Sequence, residues 1–135
     1  VFVVVKEQIE AILMDLLIWN KGDYQCYPDE KPPTDSVPLD LAAPAVLIKA
    51  FHRPDVVKIW TNLCAGLDDF YRKYKRSSNL HGVKLSTLER RIINVLHDPV
   101  SVKSIIQQID HSEAEIKVSL LAMEMSGIIE RCLPK

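Results

Sequence analysis

Four histidines, three cysteines and a pair of adjacent acids are the residues of this 135-residue chain with chemistry to offer. Their spacing decides against most of it. His52, His81, His97 and His111 stand apart, with no HExxH or HxH run and no cysteine at ligand spacing, so no metal site is expected. His97 and His111 each abut an expected helix end, where capping is the plainer role. Cys26, Cys64 and Cys132 are odd in number and form no CxxC pair, which argues against structural zinc and a disulfide framework and points to reduced intracellular thiols. Asp68 and Asp69 are vicinal, and on a helix their side chains diverge by about 100°, a poor acid–base couple. The four glycines include no GxGxxG or GxxxxGK run and so build no phosphate cradle. The expectation is a protein that binds and does not catalyse, with no cofactor, no metal and no small-molecule ligand evident.

The remaining chemistry is charge. The formal net charge is −1, which excludes binding to nucleic acid through bulk positive charge. That balance is a sum of unlike parts, because residues 1–51 carry net −4, residues 52–81 net +3, and residues 82–135 net zero. The most basic stretch is Arg72-Lys73-Tyr74-Lys75-Arg76. Cations interleaved with tyrosine suit a phosphate backbone, and at the end of a helix they also compensate its dipole. Arg72, Lys73, Lys75 and Arg76, joined by Arg90 and Arg91, are therefore the candidate nucleic-acid contacts.

Elements must position these groups. A 47% hydrophobic chain with 26% charged residues and a mean hydropathy of +0.01 is globular. The run Val1–Val5 is far short of the roughly 20 residues of a membrane span, and no secretory signal is visible. Val1 in place of Met suggests a processed product or part of a longer protein. Phe2, Val5, Ile9, Ile12, Leu13, Leu16 and Leu17 recur at helical spacing through about Asn20, although Val1–Val5 alone also suits a short strand. A Pro-rich loop follows at 24–38, where Tyr24, Tyr27 and the paired prolines either pack locally or dock a partner. A short helix from Leu41 or Pro44 to Phe51 leads to a longer one, on which Val56, Trp60, Leu63, Cys64, Leu67, Phe70, Tyr71 and Tyr74 predict a run from Pro54 to about Arg76. The polar stretch from Ser77 to Gly82 marks a boundary between a helical part, residues 1–78, and a second domain, residues 83–135.

The second domain is the most strongly punctuated. Ser86-Thr87-Leu88-Glu89 is a capping box ahead of a helix that ends at Asp98-Pro99. Ser101 caps a helix of barely two and a half turns. A second box, Ser112-Glu113-Ala114-Glu115, opens a third helix closed by Gly127, and Ile128 to Leu133 reads as extended. Three short helices, a tight turn between the last two and a closing strand describe a helix-turn-helix with the start of a wing.

On these residues the chain resembles the winged-helix superfamily over about Val83 to Lys135. The motifs are L-S-x-x-E at Leu85–Glu89, D-P-V-S at Asp98–Ser101, S-x-A-E-I at Ser112–Ile116 and M-E-x-x-G-I-I-E-R at Met123–Arg131. It looks most like the C-terminal winged-helix domain of the bacterial DNA-processing protein A family, or a MarR-type regulator. The resemblance implies a mainly α fold, a helical N-terminal part followed by a winged helix, and association with DNA in transcription control or DNA processing.

The third helix does not have the face of a base reader. Opposite its buried stripe it offers two acids, one base and an apolar line of Ala114, Val118, Leu121 and Met125, where major-groove helices offer Arg, Lys, Asn or Gln. Those four residues are the candidate protein interface, toward the N-terminal helices, a second copy or another subunit. The leading expectation is a DNA-associated protein of the cytoplasm or nucleus whose third helix makes protein contacts. The alternative is an interaction or scaffold module with no nucleic-acid contact.

Overall fold

The computed structural model describes residues 2–19, 21–23, 25–31, 43–73 and 83–133. It is mostly helical with one small antiparallel sheet, and the elements follow from local signals where those signals are strong. Helix α1 (Phe2–Asp15) runs into a 3-10 turn, Leu16–Ile18, so Val3–Val5 are helical and not a strand. Helix α2 (Ala43–Ala50) takes Pro44 in its first turn, where the missing N–H costs nothing. After α3 (Pro54–Leu63) and strand β1 (Phe70–Lys73) come α4 (Thr87–Val95), β2 (Val100–Ser101), α5 (Val102–Gln108), α6 (Glu113–Met125) and β3 (Ile129–Cys132).

The serine caps form as expected. Glu89 N–H donates to Ser86 Oγ, Ser104 N–H to Ser101 Oγ and Glu115 N–H to Ser112 Oγ, each at 3.2 Å. Both glutamates of the expected boxes use their carboxylates elsewhere. Glu89 accepts from the Ser86 hydroxyl at 3.0 Å and meets His52, and Glu115 pairs with His111. Helix α6 ends in a Schellman motif: Gly127 takes φ +75°, its N–H donates to Glu124 O, and Ile128 N–H donates to Met123 O at 2.9 Å.

The helix expected from Pro54 to Arg76 is corrected. It stops at Leu63, the chain turns through Cys64–Gly66, and Phe70–Lys73 extends as a strand. Gly66, Asp68 and Asp69 are poor helix formers, and the pairing that replaces the helix is long-range. β1 lies between β2 and β3, antiparallel to both, with Tyr71 opposite Val100 on one side and Arg131 on the other. Arg72 and Lys73 therefore sit on a strand, and their compensation of a helix dipole lapses. Lys75 and Arg76 lie outside the described residues, as do Tyr24, most of the Pro-rich loop and the stretch from Ser77 to Gly82.

Across the boundary placed between residues 78 and 83 the packing is continuous. β1 is the middle strand of a sheet whose other strands follow α4, and one core joins Ile48, Phe51 and Val56 to Ile92, Ile116 and Met123. Helix α6 is its axis, packed against α2, α3, α4, α5 and β3.

Candidate interaction surface

The residues singled out for contacts with other molecules are placed very differently by this architecture. On α6, Val118 is buried at 2% exposure and shares a pocket wall with Phe51 of the turn after α2 and Val57 of α3. Leu121 is half-buried against the core, while Ala114 and Met125 are exposed at either end of the helix. The middle of the predicted stripe thus packs within the chain. What α6 leaves to solvent at its N-terminus is Glu113, Ala114 and Glu115.

Among the candidate cations, Arg72 donates from Nε to Glu130 Oε1 at 2.6 Å, directly across the β1–β3 register. Lys73 is exposed at the end of β1. Arg90 and Arg91 are exposed on α4 and form no ion pair among the described residues.

Beside Arg72 the sheet is held by a polar network that runs from a buried tyrosine to the surface. The Tyr71 hydroxyl, fully buried, donates to Glu124 Oε2 at 2.7 Å. Arg131 donates to both oxygens of the same carboxylate, bonds Asp69 at 2.8 Å, and places its guanidinium 5.9 Å from the Tyr71 ring centre. Burial, reinforced by the Glu124 carboxylate, pushes the Tyr71 hydroxyl well above the ordinary tyrosine range. These charges serve the join between β1, β3 and α6. Lys117, two turns earlier on the same face of α6, ties the helix to the turn after α3, donating to Ala65 O at 2.7 Å and pairing with Glu113.

An apolar surface does remain open, on α1 and the 3-10 turn. Val5, Ile12 and Leu16 fall within about 40° of one another on a helical projection, and all three are exposed, as are Val4, Leu13 and Trp19, the last at 64%. The opposite arc of α1 carries polar Glu10, whose side chain is largely covered and accepts from Lys49 of α2 at 3.1 Å. One charged residue, Glu10, thus faces α2, while Val5 and Ile12 stay on the exposed arc beside Gln8. This orientation is held at the helix end, where Trp60 Nε1 donates to Leu17 O at 3.0 Å and Arg53 Nη1 donates to Asp15 at 2.7 Å. Trp60 is in turn fixed edge-on against Phe51, with ring centres 5.6 Å apart. Between α1 and α2 an apolar groove of about 340 Å³ is lined by Leu13, Leu16, Leu17, Val46 and Leu47. On α3, which packs against the 3-10 turn, Ile59 and Leu63 are also exposed, one turn apart.

Sequence reasoning located this stripe as a helix and expected its contacts to be made elsewhere, on α6. A signal was present: α1 and its turn carry apolar residues round most of their circumference, more than one neighbouring helix can cover. Among the described residues no group of three or more His, Cys, Asp or Glu is placed to share a metal ion, and no helix is long and apolar enough to cross a membrane. Comparison with protein-family models, with curated proteins and with solved structures finds no match.

Proposed function

We propose that this protein is a non-enzymatic interaction module that docks through the apolar face of α1 and its 3-10 turn, on a winged-helix-like C-terminal scaffold. The observation that carries the reading is the exposed apolar arc of α1 and its turn, Val4, Val5, Ile12 and Leu16, with Glu10 engaged by Lys49 on the other side. Exposed apolar stripes of this kind mark surfaces that another chain covers. A second copy of the chain is the partner the proposal names, since the stripe is uncharged and meets itself without like-charge juxtaposition. Enclosure of α6 by α2, α3, α4, α5 and β3 favours protein contact over base reading, because a helix in the major groove must present a free polar face.

The test is light scattering after size exclusion, from about 5 to 200 µM. Wild-type protein is expected to reach the dimer mass, and the double variant Ile12→Glu/Leu16→Glu to stay monomeric, with the melting temperature that wild type shows at concentrations where it too is monomeric. A wild-type monomer throughout the range sinks the proposal. Duplex binding that weakens steeply with salt, and less steeply after Arg90→Ala and Arg91→Ala, would replace it with the DNA-associated reading.

A further inference from the structure

Along α1 and its 3-10 turn the large exposed side chains are evenly spaced. Val5 precedes Ile12 by seven residues and Trp19 follows it by seven, which places them about 10 Å and about 12 Å from Ile12 along the axis. Val4, Gln8, Ala11 and Leu16 complete the exposed arc, and Gln8 is its polar member. Such a stripe is centred on Ile12. A two-fold axis there lays Trp19 of one copy over Val4 and Val5 of the other, with Gln8 opposite Leu16. Val4, Val5, Ile12, Leu16 and Trp19 together expose roughly 500 Å² per copy, so a pair buries about 1,000 Å², the least that a specific interface needs.

Side-chain size decides the direction of the pair. Trp19 is the bulkiest side chain on the stripe, and the far end carries valines. Val4 and Val5 diverge by about 100° round the helix and leave a notch between them for an indole. Antiparallel packing sets large against small at both ends and keeps the two axes at one separation. Parallel packing would stack tryptophan on tryptophan and valine on valine, splaying the helices at one end and leaving a gap at the other. The antiparallel order also brings the positive end of each helix dipole beside the negative end of its neighbour. Granted self-association through α1, on which this rests, we infer that the two copies of α1 pair antiparallel about Ile12. Trp19 of each copy is the anchor, seated between the partner's Val4 and the partner's Val5.

The test mixes isotope-labelled wild type with a chain that carries a nitroxide at Glu7→Cys in a Cys26→Ser/Cys132→Ser background. Antiparallel pairing brings the nitroxide near Trp19 of the wild-type copy and keeps it more than a turn and a half from Val5. The Trp19 indole N–H signal is therefore expected to broaden and the Val5 amide to stay sharp. Trp19→Ala removes an anchor at both ends of the pair and should weaken dimerisation at least about tenfold by light scattering. Its melting temperature should match that of wild type diluted to monomer. Should Trp19→Ala fail to fold, the mixed sample still decides, because its reporting chain is wild type. Broadening at Val5 and not at Trp19, or an undiminished dimer in folded Trp19→Ala, overturns the antiparallel pairing and leaves self-association standing. A wild-type chain that stays monomeric overturns both.

Discussion

Replacing Val118 by alanine separates a helix flank that is core from one that waits for a partner. The side chain is 2% exposed and lies between α6 and the N-terminal helices. Two buried methyl groups are worth about 1.6 kcal/mol at roughly 0.8 kcal/mol per carbon. The cavity contribution is small, because truncation enlarges a pocket already open beside Phe51 and Val57 and creates no sealed void. The expected loss is therefore about 2 kcal/mol. With a urea slope near 1.5 kcal/mol per molar for a chain of this size, the unfolding midpoint should fall by about 1.3 M at unchanged slope. Met125→Ala, on the same predicted stripe but 41% exposed, should move it by less than about 0.3 M. Equal, small shifts for the two variants would refute the packing of α6 against α2 and α3, and with it the argument that this helix is unavailable to DNA.

Two further outcomes follow from buried groups. The Tyr71 hydroxyl has a higher pKa folded than its ordinary value of 10.0, through burial and the Glu124 carboxylate. Its contribution to stability is complete below that pH and is lost as pH rises above it, so alkaline unfolding should flatten in Tyr71→Phe. In an absorbance titration one of the four tyrosines should ionise only as the chain unfolds. A titration in which all four ionise together in the folded state would contradict the Tyr71–Glu124 bond. Among the thiols, Cys26 is exposed, whereas Cys64 is buried and its pKa is raised by that burial. Ellman's reagent should label Cys26 promptly and Cys64 only at the rate of local opening, as peptide mapping of the labelled sites would resolve. Prompt labelling of Cys64 would refute the packing of the turn after α3.

Local physics was legible without coordinates. Ser86, Ser101 and Ser112 cap helices, Pro44 starts one and Gly127 ends one, because each device acts over three or four residues and is written in consecutive positions. The mainly helical class follows from the same signals. The candidate surface was legible only as a helix: apolar residues lie round most of the circumference of α1 and its turn, and their spacing says nothing of which arc faces α2. That choice rests on Lys49, Arg53 and Trp60, which lie some forty residues away and hold Glu10, Asp15 and Leu17. Phe70–Lys73 is the sharper case. Its apolar residues fit a helical period, and only β2 and β3, brought in from about 30 and 60 residues downstream, supply the backbone partners that make it a strand. The same folding-up sets Arg72 against Glu130, encloses α6 among α2, α3, α4, α5 and β3, and leaves Glu89 with one oxygen spoken for and one without a donor. Periodicity and caps decide which segments form helices, since those energies are local, whereas the partners of a strand, the buried flank of a helix and the company of a buried charge depend on contacts that only the assembled chain provides.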